Sequence, residues 1–342
     1  MNAANDVVGM EAGKSAVPRT PPHPTHKLKL LLRREFWEHK GGFFWAPIWA
    51  GGISLLLTTM ALIFGEVAAR RSGNITINGL DLGLLTEKMT PEDVRHLADG
   101  ISMSTATAMF WPMLVLGFVV FFYCLGSLFD ERKDRSVLFW KSLPVSDRDT
   151  VLSKVVSALL VAPAIATAVG IVCMIAFLLL LSLFVVIHHG NPFVLLWSPG
   201  NLLANAGVAV AAIPLYALWA LPSVGWLLLC SAWSKSKPFL WAIMIPVFAG
   251  VFISWFDLMN SFDLSSGWFW KNVVAHLLGG VFPGSWVMAM DMDLTHLRHF
   301  PDMNVIRSMY SVMATPQLWV GAAAGVAMIA AAVRLRRWRD EG

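Results

Sequence analysis

The stretch with the most suggestive chemistry lies between 288 and 303, where Met288, Met290 and Met292 alternate with Asp291 and Asp293 before His296, His299 and Met303. Thioether and imidazole ligands suit copper. Against that stands a plainer reading: the chain has 17 methionines, and the two histidines sit on an exposed turn. The plainer reading is preferred, so no metal or other cofactor is expected on this chain. Gly13-Lys14-Ser15 imitates the end of a phosphate-binding loop. That loop needs a first glycine five residues before the second; position 8 is Val8, and Gly9 is one residue too close. His188/His189 and Asp291/His296 are the groups that could serve a membrane-embedded enzyme acting on lipid. Cys124, Cys173 and Cys230 have no metal-site spacing and read as small packing residues. With no catalytic constellation, the chain is read as a non-enzyme.

The elements that hold these residues are set by composition. The chain is 56% hydrophobic and 14% charged, against the roughly 25% charged residues that cover a soluble domain. Its apolar residues form six blocks, at about 43–64, 105–129, 155–187, 203–230, 238–256 and 318–333, free of Asp, Glu, Lys, Arg and His. Blocks of about 20 such residues cross a ~30 Å hydrocarbon layer as helices. The third is longer than needed and is expected to tilt or project past one interface. Lys and Arg favour one side: 19 of 26 fall at the two ends and in the loops 130–154 and 231–237. By the positive-inside rule both ends are cytoplasmic. The net charge of +4 is thus a topology signal, and no nucleic acid is expected as a partner. A proton- or ion-coupled carrier usually keeps ionisable groups at membrane depth, and the six blocks have none.

Residues 1–26 are polar and proline-rich and read as a disordered cytoplasmic lead-in. In 27–40, Leu28, Leu31, Leu32 and Phe36 recur at helical spacing while Arg33 and Arg34 fall elsewhere, which predicts an interfacial helix with its cations toward acidic lipid. Thr90-Pro91 starts a short helix through Ala98. The loop 130–154 combines a charged run with the apolar cluster Val137, Leu138, Phe139 and Trp140 and the sequence Leu143-Pro144-Val145-Ser146. Ser146 is predicted to cap the helix of the third span. Apolar residues on so short a loop need a membrane interface or another protein's groove. The outer stretch 257–317 has apolar pieces too short to span, broken by Gly279, Gly280, Pro283 and Gly284. It is predicted to be re-entrant or interfacial and is the candidate outer gate. In the last span, Gly321 and Gly325 permit close helix packing, within the chain or between copies.

Two features together resemble a known family: Leu32-Arg33-Arg34-Glu35-Phe36-Trp37 before the first span, and Asp130-Glu131-Arg132 running through Ser142-Leu143-Pro144-Val145-Ser146 to Lys154. They are similar to permeases of the ABC-2 type, the membrane subunits of ATP-binding-cassette exporters, over about residues 27–336. The resemblance implies an all-α polytopic protein of a bacterial-type inner membrane, with six spans. It also implies two copies of a separate cytoplasmic ATPase carrying ATP and Mg, and a second permease copy or homologue. Glu131, Arg132, Arg135, Leu138, Phe139, Trp140, Leu143 and Pro144 would then form the loop that docks in the ATPase.

Overall fold

A chain segment in hydrocarbon must satisfy its own backbone, and a helix does this within one segment. A computed structural model describes residues 24–71, 90–134, 145–198, 202–259, 265–288 and 303–338, and these residues form helices and turns with no strand among them. Six helices are long and apolar enough to cross a membrane, and each contains one of the six apolar blocks.

The first helix, α1 (Pro24–Glu38), starts inside the expected disordered lead-in, which is therefore too long by three residues. Proline is well placed there, because its fixed φ suits a helix start. A π-turn over Gly41–Trp45 leads into α2 (Ala46–Arg71). The next helix, α3 (Pro91–Ser127), begins with the expected cap: the Thr90 hydroxyl accepts from the Asp93 N–H at 3.3 Å and the Asp93 carboxylate accepts from the Thr90 N–H at 2.9 Å. It does not stop at Ala98. Gly100 weakens a helix by only about 1 kcal/mol, and Ile101 just beyond it is buried against Leu178 and Val185. Tertiary packing thus carries the helix into the second span.

After a break at Leu128 comes the short α4 (Phe129–Lys133). The third span starts at α5 (Asp147–Val156), passes a π-turn at Ser157–Val161 and continues as α6 (Ala162–Ile187). Ser146 caps it as predicted, its hydroxyl accepting from the Asp149 N–H at 3.1 Å. Pro163 has no N–H to offer the preceding turn, and the π-turn absorbs that defect.

Beyond a π-turn at Phe193–Trp197 lie α7 (Leu202–Trp233), which contains Pro214 and Pro222, and α8 (Pro238–Leu258). A broken segment follows: α9 (Ser266–Phe269), a π-turn, α10 (Ala275–Gly279) and a 3-10 turn over Ser285–Met288. The chain ends with α11 (Met303–Tyr310) and α12 (Pro316–Trp338).

The α7 and α12 helices approach each other closely. A side chain at Gly325 would meet the Leu221 carbonyl oxygen at 2.7 Å, and one at Gly225 would meet the Gly325 carbonyl oxygen at 2.6 Å. Gly325 therefore serves packing inside this chain. Gly321 is looser, its nearest neighbour being the His276 ring at 3.5 Å. Gly325→Leu is expected to lower the melting temperature in detergent by several degrees or to abolish monodisperse protein. Gly321→Ala should leave both unchanged.

Candidate functional site

A cluster of buried charges joins α4, which precedes residues 135–144, to α5, which follows them. Glu35 of α1 is 0% exposed, Lys154 of α5 2%, Arg336 of α12 5% and Glu131 of α4 7%. Lys154 Nζ lies 3.0 Å from Glu35 Oε1 and 2.9 Å from Glu131 Oε1. The other oxygen of Glu35 accepts from the Tyr123 hydroxyl at 2.8 Å. Glu131 Oε2 pairs with Arg336 Nη1 at 2.8 Å, and Arg336 Nε reaches Asp147 Oδ1 at 3.2 Å. Arg34 adds a third cation, 3.7 Å from Glu131. Arg34, Lys154 and Arg336 thereby balance Glu35, Glu131 and Asp147. A buried charge is tolerated only when it is paired and hydrogen-bonded, and here each bridges separate elements.

The cluster joins α1, the end of α3, α4, α5 and α12. Arg132 ties in α7 as well, its guanidinium donating to the carbonyls of Ser231 and Ser234. The Ser231 hydroxyl in turn accepts from the Leu128 and Phe129 N–H groups at 3.1 and 3.0 Å, which satisfies the backbone at the break between α3 and α4.

Of the residues assigned to the loop by the sequence, Glu131 and Arg132 are here, turned into the protein. Arg135, Leu138, Phe139, Trp140, Leu143 and Pro144 lie outside the described residues. On α1, Leu31 is buried, Leu28, Leu32 and Phe36 are half-buried, and Arg33 is exposed. Arg34 departs from the expectation of a purely lipid-facing cation, since it reaches Glu131 and, at 3.3 Å, Glu38. Sequence reasoning missed the partnership of Glu35, Tyr123, Asp147, Lys154 and Arg336. A signal was present: Glu35 continues the stripe of Leu28, Leu31 and Leu32, and a carboxylate on an apolar stripe needs a buried partner.

A second constellation holds the candidate gate. The turn after α10 is bolted to one face of α7: the Tyr216 hydroxyl donates to the Val281 carbonyl at 2.9 Å, the Trp219 indole to the Ser285 hydroxyl at 3.0 Å, and the Ser223 hydroxyl to the His276 carbonyl. The His276 ring stacks on Trp219, with centroids 4.1 Å apart, and its Nε2 lies 2.9 Å from the Trp219 carbonyl. Of the four gate residues, Gly280 is buried and a side chain there would collide with Ser223; Gly284 has φ +85° and space around it. Gly279 and Pro283 are half-buried beside them. Phe282 packs edge-on to Phe118 at 5.0 Å and sits over Gly117, where a side chain would strike its ring.

Gly117, Trp219 and Gly321, which this segment packs against, all lie inside apolar blocks. The six blocks are free of ionisable groups, as read from sequence, and the fold packs His276 against two of them, at Trp219 and Gly321. Asp291, Asp293, Met290, Met292, His296 and His299 lie outside the described residues, and Met288 closes the 3-10 turn. His188 sits at the end of α6 with Nε2 3.8 Å from Glu66. His189 beside it takes a left-handed φ of 58°. Cys124, Cys173 and Cys230 are free and buried, consistent with packing.

No family model, curated protein or solved structure matches the chain.

Replacing Lys154 with Met would leave Glu35 and Glu131 buried without their shared cation. Breaking such a pair typically costs about 3–5 kcal/mol. Lys154→Met should therefore lower the melting temperature clearly, Lys154→Met with Glu35→Gln should recover part of the loss, and Arg33→Met on the exposed face should change little.

Proposed function

We propose that this chain is the permease subunit of an ABC-2-type exporter, which forms the transmembrane path and is driven by a separate cytoplasmic ATPase. The observation that carries this reading is the buried ionic cluster: it gives the loop 130–154 a rigid base linked to the helices at both ends of the chain. A loop whose work is to receive a push needs such a base. On this reading both chain ends face the cytoplasm, α1 lies on the inner face with Arg33 toward acidic lipid, and the protein resides in a bacterial-type inner membrane. Leu138, Phe139, Trp140 and Leu143 anchor the loop in the ATPase, because buried aromatic and aliphatic side chains dominate such interfaces. Arg135 sets register and Pro144 turns the chain back toward Ser146. Two ATPase copies supply ATP and Mg, and a second permease or homologue completes the path. The charge-free spans suit a lipid-like, peptide or drug-like cargo.

A proton-coupled carrier is the second reading, favoured by His276 packed against Trp219 and Gly321 of the apolar blocks. An ionophore would stop such a carrier, whereas loss of the ATPase would stop the exporter.

The first test is co-purification of the tagged chain with the ATPase encoded nearest to it, in detergent or nanodiscs. Association is expected, with Leu138→Asp or Trp140→Ala reducing it at least tenfold. Failure of every ATPase tried to associate would sink the reading.

A further inference from the structure

Four residues, 234–237, reverse the chain from α7 into α8. The turn is held from several sides. Arg132 of α4 donates to the carbonyls of Ser231 and Ser234, and the Ser234 N–H donates to the Cys230 carbonyl at 3.0 Å. Beyond the turn the Trp226 indole donates to the Ala242 carbonyl at 3.0 Å, which ties α7 to α8. Lys237 takes a left-handed φ of 50°, a conformation uncommon for a residue with a side chain.

This fixed turn presents cations beside indoles. Lys235, Ser236 and Lys237 are exposed, and residues 231–237 hold two lysines and no acid. From α4, Arg132 adds a third cation, Lys133 is exposed, and the Asp130 carboxylate is turned back over Gly126. Trp233 and Trp241 flank the lysines in sequence, 40% and 45% exposed, with their rings edge to face at 5.3 Å. Phe239 stacks on Phe122 at 6.0 Å, and both are exposed.

The surface then changes character along α8. Trp241 lies four residues beyond Lys237, about 6 Å along the helix axis. Past it the exposed side chains are Met244, Phe248, Val251 and Phe252. One side of the hairpin thus passes from ammonium through indole to hydrocarbon, the order of headgroup, interface and acyl chain in a lipid leaflet. A protein docked on the turn would match the lysines alone. The apolar face runs on along a helix long enough to cross a membrane, and a lipid matches both parts at once. Every phospholipid has a phosphate, but a choline or ethanolamine group cancels its charge. Clustered cations therefore select a headgroup that is negative overall.

We propose that the α7–α8 turn is a binding site for an acidic phospholipid. Lys235 and Lys237 pair with the phosphate, Trp233 and Trp241 lie beside the glycerol region, and the acyl chains run along the exposed face of α8. Lysine suits this place because its apolar stem lies along hydrocarbon while its ammonium stays with the headgroup. Arg132, committed to the Ser231 and Ser234 carbonyls, holds the turn in position. The site is separate from α1 and its Arg33, and it stands whether or not an ATPase drives the chain.

The test is photo-crosslinking of the full chain in phosphatidylcholine nanodiscs. They carry a small share of phosphatidylglycerol, or of phosphatidylcholine, with a diazirine at the start of one acyl chain, and labelled peptides are mapped by mass spectrometry. Peptides covering 231–241 are expected to label at least tenfold more with phosphatidylglycerol, since each lysine at such a headgroup contributes about fivefold. High salt should shrink that preference, because exposed charges are screened. Lys235→Gln with Lys237→Gln should abolish it, and Lys235→Arg with Lys237→Arg should keep it. Peptides from the middle of α8 should label alike with both lipids. Equal labelling of 231–241 by the two lipids, or a preference that survives the paired glutamine changes, would overturn the proposal. Loss of a co-purifying ATPase in the glutamine variant, with its lipid preference intact, would also overturn it and make the turn a protein contact.

Discussion

Lys154 sits between Glu35 and Glu131, and much of the described structure depends on how that one ammonium group is held. It lies near the start of a helix that continues 33 residues to Ile187. In water such an ion pair would contribute almost nothing. Buried, each charge becomes a constraint, because loss of any partner leaves a charge in a medium that cannot solvate it. The constraint fixes where α1 lies against α5, how far α4 turns after Leu128, and where α12 ends.

This arrangement also explains the break at Leu128. Without it, Glu131 would continue the axis of α3 rather than turn between Lys154 and Arg336. The backbone groups exposed at the break find the Ser231 hydroxyl, and Arg132 caps the end of α7. Polar contacts thus gather at one end of the bundle. Within the apolar layer, shape does the work: Gly225 against Gly325, and Gly117 beneath Phe282. Between helices in lipid there is little hydrophobic driving force, so close approach of backbones carries the packing.

The segment 265–288 follows the opposite strategy. Tyr216, Trp219 and Ser223 line one face of α7 and hold a short, broken piece of chain by its carbonyls and by Ser285. Irregular backbone at membrane depth survives only if its polar groups are met by protein. The three α7 side chains meet such groups here, and the His276 ring donates to the Trp219 carbonyl.

The sequence by itself determined the six spanning helices, because runs of about 20 uncharged apolar residues have no other stable form in a membrane, and it marked the Thr90 and Ser146 caps through local spacing. It also showed that 257–317 is broken by Gly279, Gly280, Pro283 and Gly284. It did not show that α3 runs unbroken past Ala98, since burial of Ile101 against α6 decides that. Nor did it pair Glu35 with Lys154, 119 residues away, or bring Arg336 to Glu131, 205 residues away. Each of those residues reads locally as a charge at a helix end. His276 likewise reads as one histidine in a long connecting stretch, and only the docking of its segment on α7 sets it against Trp219. Local patterns fix what a segment becomes; the partners of a buried charge are chosen by which helices pack together, and that is a property of the tertiary structure.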